Sequence, residues 1–418
     1  MYATLYKANT LRTLGLLLIF IATLSTSSHA QGIHFQEKGI DELIAEAKRQ
    51  NKLAFVEIYL KGCPHCEALA PVLDEKKVGD FYDSTFVSAK YEANSPLSKA
   101  LQEKKKILYS EFPLFLFFDG SGQLIHQGTP IDKPTRPEFI QEVLRHGHDA
   151  LSPATRTSSY PARYAQGDRN LDFLINYARY AKTTRDTAQL AVLTQEFGKL
   201  FALPADLESQ VGFFIISRFI DDMQNPMAQY FFSHLDTYRS KYGPQPVQQA
   251  GESVLYQSLY GRQTNTLPST DIIAIRKAME SLGTPAPIAA QRTILKELEA
   301  YFRENNTAAA TARFDEYRAS NAPKIIDYAY LMRFFNEKAP DNSYAASLVT
   351  WINDALKPFK PVALNRAEVA ELYREQSEAY WRLGKKAEGK QAAEKAVAIA
   401  KIVKEKPETY AKQLAKFQ

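Results

Sequence analysis

The sequence is poorest in cysteine. Its 418 residues hold two, Cys63 and Cys66, three positions apart. A tetrahedral zinc site asks for four ligands. With no second cysteine pair and seven histidines scattered along the chain, we expect no metal, and nothing in the sequence asks for a cofactor. A structural disulfide gains from the length of loop it closes, and a four-residue loop restrains almost nothing. Random placement would give this spacing on the order of once in two hundred trials, so the pair is read as acting together, in redox chemistry. A structural bridge and a metal site remain the alternatives.

Excess charge of either sign is also missing. The formal charge is +5, falling to +3 (50 basic residues against 47 acidic) without Lys7 and Arg12, which is too balanced to indicate a nucleic-acid partner. Long apolar runs are scarce. The one candidate, Leu14 to Leu24, is well short of the roughly 20 residues that span a bilayer. It follows a short basic region and precedes Ser-Thr-Ser-Ser-His-Ala ending at Ala30. We read residues 1–30 as a cleavable signal peptide, an uncleaved anchor being the alternative. No cysteine follows the cut, which speaks against a lipid anchor. The mature chain is expected to be exported, periplasmic and without a membrane span. Hydrophobic residues make up 45% and charged ones 24%, the balance of a folded chain, and the length allows two or three domains.

What is present centres on Leu53 to Leu73. Apolar Leu53 to Leu60 reads as a buried strand, Gly62 breaks it, and Pro64 suits the first turn of a helix, where its missing N–H costs nothing. Cys63 then sits at a helix N-terminus, where unpaired backbone N–H groups and the helix dipole favour a thiolate. A protonated His65 would add to that. Cys66, one turn on, can attack a mixed disulfide formed at Cys63.

These residues resemble the thioredoxin superfamily, whose active segment is a buried strand, Cys-x-x-Cys and a helix kinked by proline eight residues after the first cysteine, here Pro71. The resemblance covers residues 33–148 and implies a three-layer α/β/α fold. It implies that Cys63 attacks, Cys66 resolves and Glu57, six residues before Cys63, handles the Cys66 proton. The Pro-His pair between the cysteines is like that of the superfamily's Dsb-type periplasmic oxidants, with Pro64 at the substrate face. Phe112-Pro113 matches a second family mark, a cis proline facing the sulfurs and leaving the preceding backbone free for a substrate strand. Phe112 and Leu114 depart from the commonest pattern there, which bears on substrate preference.

Along the chain, Gly32 to Gln36 is expected as a short edge strand. Ile40, Leu43, Ile44 and Ala47 mark one helix face. Asp74 to Thr85 reads as a polar connection before the strand Phe86 to Glu92. Leu97 to Ile107 reads as a helix, with Lys104 to Lys106 on a solvated face. Leu114 to Phe118 and Gln123 to Gln127 read as a hairpin around Asp119-Gly120-Ser121-Gly122. Thr135 and Glu138 form a capping box for a helix with Phe139, Val143 and Leu144 on its apolar face. His126, His146 and His148 are taken as packing or surface histidines.

A linker over 149–168 precedes amphipathic helical windows over 169–418. Tyr373, Ser377, Tyr380, Gly384, Gly389 and Ala396 are spaced as in the tetratricopeptide repeat, so this half resembles a helical solenoid of degenerate repeats. Its aromatics, such as Phe213-Phe214, Tyr230 to Phe232 and Phe334-Phe335, are expected to pack between helices, an aromatic groove for an extended polypeptide being the alternative. It has no Ser-His-Asp arrangement, phosphate loop or metal-ligand cluster.

The expectation is an exported thiol-disulfide oxidoreductase. Its partners would be exported protein thiols and disulfides, a redox partner, and a polypeptide on the helical half. The rival is a non-enzymatic scaffold in which the first domain only presents the second.

Overall fold

A computed structural model describes residues 32–417; the signal peptide expected over 1–30 lies outside them. The chain divides into two compact units, parting between Gln195 and Glu196.

The first unit is built on a four-stranded mixed sheet. In chain order its elements are α1 (Ile40–Arg49), β1 (Leu53–Tyr59), α2 (Pro64–Leu73), α3 (Lys76–Thr85), β2 (Phe86–Glu92), α4 (Pro96–Lys105), β3 (Leu114–Phe118), β4 (Leu124–Gly128), α5 (Arg136–Leu151), α6 (Tyr160–Ala165) and α7 (Leu171–Thr183). The strands lie in the order β2-β1-β3-β4. β1 runs parallel to β2 and antiparallel to β3, and β3 pairs antiparallel with β4.

Alternation along β1 divides the core into two layers, because successive side chains point to opposite faces. Ala54, Val56 and Ile58 pack with Leu43 and Ala47 of α1 and Leu101 of α4. Phe55 packs on the other face with Leu69 and Val72 of α2, Tyr82 of α3 and Val143 of α5. Leu114 to Phe118 are fully buried, since β3 is central and covered on both sides.

Two expectations are corrected. Gly32 to Gln36 forms only an isolated bridge, Phe35 to Ser88; Ile33 N–H is held by the Leu73 carbonyl at 3.0 Å, so the segment is tied to the end of α2. Within Asp74 to Thr85 the chain forms α3, whose Val78 and Tyr82 are buried one turn apart. The capping box on α5 is present. In the lysine run, Lys105 donates to Gly122 O at 2.9 Å, fastening the β3–β4 hairpin.

After α5 the chain turns back onto β4. Gln127 N–H donates to Thr157 Oγ1 at 3.1 Å, and Thr157 N–H donates to His126 Nδ1 at 3.2 Å. His126 and His146 are both buried, with ring centroids 6.3 Å apart. Gly128 permits this close approach, since a Cβ there would stand 2.1 Å from His146 Nδ1. Burial, next to His146, Arg145 and Arg156, lowers the His126 pKa to about 3.

The second unit is helical. One of its cores joins helices Ala286–Arg303, Thr307–Asn321, Ile325–Lys338, Ala345–Leu356 and Ala367–Arg382. Trp351 is its centre, 4.6 Å from the Phe314 ring and 5.1 Å from that of Phe335, with Nε1 donating to Asp315 at 2.8 Å. Phe231 and Phe335 are fully buried and Phe213 stacks on Tyr242 at 4.3 Å, so these aromatics fill the spaces between helices. The helices Ala367–Arg382 and Lys386–Ile402 pack closely, with Ser377 Oγ donating to Gly389 O at 2.9 Å. Among the described residues no helix is long and apolar enough to cross a membrane.

Candidate active site

The turn from β1 into α2 fixes both sulfurs. Gly62 has a φ of +78°, a conformation costly for any side chain, and Cys63 N–H closes the turn onto Leu60 O at 3.2 Å. Cys63 is the N-cap of α2, extended at φ −83° and ψ 117°, with Pro64 at the first helical position. Its side chain is half-buried, beside the free N–H groups of the first turn, and Sγ lies 3.9 Å from Phe112 O, to which the thiol donates.

Cys66 falls on the inner face of the same turn and is 5% exposed. Both cysteines are free thiols. Burial pushes the Cys66 thiol up to about 12, against the Leu60 backbone group, which favours the thiolate; a hydrogen bond with Cys63 and the charges of Cys63 and Glu57 push the same way as burial. The two thiols are therefore inequivalent: one is presented at a helix end, the other is sequestered and holds its proton.

Glu57 shares the face of β1 that carries Phe55 and looks toward α2. It has no exposed surface, and burial raises its carboxyl above the ordinary 4.5 despite the opposing Lys90 cation. Lys90 Nζ stands 3.2 Å from Glu57 Oε2, off the hydrogen-bonding axis, so both carboxylate oxygens are without an aligned donor among the described residues. The pairing follows from register, since Glu57 lies opposite Lys90 across the parallel β1–β2 ladder.

His65 projects outward from α2, and its Nδ1 lies 2.6 Å from Asp132 Oδ2. Pro64 is exposed beside it. The Phe112–Pro113 peptide bond is cis, with Phe112 half-buried and Pro113 buried. The Phe112 carbonyl faces Cys63, while its N–H has no partner among the described residues.

The structure thus gathers Cys63, Cys66, Glu57, His65 and Phe112 about one helix end. It adds Lys90 and Asp132, which sequence reasoning missed. Lys90 had a signal, a lysine alternating with Phe86 and Ser88 inside an otherwise buried strand. Asp132 had none, being a loop residue 67 positions from its partner.

No family model and no curated protein matches this chain. Among solved structures it is similar to a candidate disulphide-isomerase from Bacteroides thetaiotaomicron solved in solution. The identity is 26%, the match covers 28% of this chain and 93% of that one, and the TM-score is 0.24.

Proposed function

We propose that this protein is a thiol-disulfide oxidoreductase acting on exported proteins, with Cys63 as nucleophile and Cys66 as resolving thiol. The observation that carries the reading is the asymmetry of the pair: Cys63 caps α2 at the surface, while Cys66 is buried and its thiol is pushed up to about 12 beside the Glu57 carboxyl. The likeness of this segment to the thioredoxin superfamily in sequence points the same way.

In the reductive direction, the Cys63 thiolate attacks one sulfur of a substrate disulfide. The substrate S–S bond breaks, one substrate thiolate leaves, and Cys63 is held in a mixed disulfide. Glu57 takes the Cys66 proton, and the Cys66 thiolate attacks Cys63 Sγ. The second substrate thiolate leaves, two electrons have passed to the substrate, and Cys63–Cys66 is a disulfide. The oxidative direction is the reverse. The unpartnered Phe112 N–H, with its carbonyl already facing Cys63, offers backbone pairing to the substrate strand, and Pro113 and Pro64 border it.

Export rests on the N-terminal sequence pattern over residues 1–30. We assign partner binding to the helical unit, which exposes Tyr256 and Tyr260 as an adjacent aromatic pair, centroids 5.1 Å apart, and holds a cleft of about 510 Å³ lined by charges of both signs, among them Arg333, Arg374, Arg382, Glu337, Glu375 and Glu378.

Cys66→Ser removes the resolving sulfur. Expressed with exported substrates, that variant should accumulate mixed disulfides that a Cys63→Ser, Cys66→Ser double variant lacks, read on non-reducing gels. No such adducts would leave the scaffold reading in its place.

A further inference from the structure

We propose that Asp132 sets the redox poise of the Cys63–Cys66 couple through His65, holding it more reducing than the Cys-Pro-His-Cys segment alone would make it. The inference rests on the redox reading above and names how that site is tuned.

His65 lies between the two sulfurs in sequence and is exposed at the start of α2. An unopposed imidazolium there would favour an anion on Cys63. It would thereby stabilise the dithiol over the disulfide and make the couple more oxidising. The ring is not unopposed: Nδ1 stands 2.6 Å from Asp132 Oδ2. Asp132 has no other partner among the described residues, and the cation next to it, Lys133, faces Glu142 at 3.9 Å. Its loop is pinned just downstream by the Thr135–Glu138 capping box at the start of α5. The carboxylate is therefore presented to His65 by the fold.

Where His65 carries its second proton, the carboxylate cancels the positive field at Cys63, so the thiolate is stabilised less and the disulfide is favoured more. Asp132 touches neither sulfur and is a positioning residue.

The test is the equilibrium of the full chain with reduced and oxidised glutathione, in which two glutathione thiols become one disulfide as Cys63–Cys66 becomes the dithiol. Asp132→Asn should shift the constant toward the dithiol about threefold, within what an exposed ion pair is worth and equal to about 14 mV at 29.6 mV per tenfold. In a His65→Gln background the same substitution should shift nothing. An unchanged constant in Asp132→Asn overturns the proposal, as does an equal shift in both backgrounds, which would mean that the charge acts without His65. If the parent chain does not exchange with glutathione at all, the redox reading fails and this one with it. Exchange without the Asp132 effect overturns this inference alone.

Discussion

Burial acts on Cys66 and Glu57 in the same direction, favouring the neutral form of each. That suits a resolving pair, since a carboxylate raised above its usual range is a better-matched base for a reluctant thiol. Glu57→Gln preserves the shape and removes the base. Resolution of the mixed disulfide should slow about a hundredfold, a typical general-base contribution, while attack by Cys63 stays unchanged; rapid-quench kinetics separate the two steps. Because the Glu57 pKa is raised from 4.5, resolution in the parent should begin to slow on acidification before pH 4.5 is reached. That limb should be absent from the variant. Both cysteines were legible from spacing, and Glu57 from the resemblance of the segment to the thioredoxin superfamily. Lys90 was half-legible, because an ionic residue in a buried strand calls for a partner, but only strand register names Glu57 as that partner.

The elements that carry the site are those with the clearest local signals: an apolar strand, a glycine turn, a proline at N1 and a capping box. α3 escaped because Val78, Phe81 and Tyr82 are the only large apolar side chains of a mostly polar helix, leaving too little periodicity to read. The return of the chain from α5 onto β4 was equally hidden, resting on two hydrogen bonds at Thr157, one accepted by its Oγ1 from Gln127 N–H and one donated by its own N–H. His126 accepts one of them at Nδ1, which places its proton on Nε2, a buried donor without a partner among the described residues. The groups facing His126 are His146, Arg145 and Arg156, with Glu142 paired to His146 at 3.3 Å, so a second proton is unwelcome. The folded pKa, about 3, lies below the unfolded value of about 6.5. This contribution to stability is therefore complete above pH 6.5 and is lost as the pH falls from there toward 3. His126→Asn keeps an acceptor for Thr157 without a titrating ring. Between pH 7 and 5 it should lose about 2 kcal/mol less stability than the parent, as measured by urea unfolding at both pH values.

At the scale of the molecule, the change from strand alternation to helical periodicity, which the sequence places at residue 169, does not coincide with the parting of the two compact units between Gln195 and Glu196. Trp351→Ala in the second unit should cost about 3–5 kcal/mol through lost burial and a residual cavity, seen in denaturant unfolding. Glutathione equilibration at Cys63–Cys66 should remain as in the parent, because Trp351 and the strand that leads into the cysteine pair belong to separate cores. By itself the sequence determined the pair of sulfurs, the helix end that presents one of them, the strand behind it and the helical character of the remainder, since all of these arise from contacts within a few residues. Only the tertiary structure decided that Lys90 faces Glu57, that Asp132 reaches His65, that Phe112 overlooks Cys63 and that Thr157 closes on His126. Each of these joins residues 31 to 67 positions apart or on separate strands. Such pairs are set by how layers stack and strands register, which no local pattern encodes.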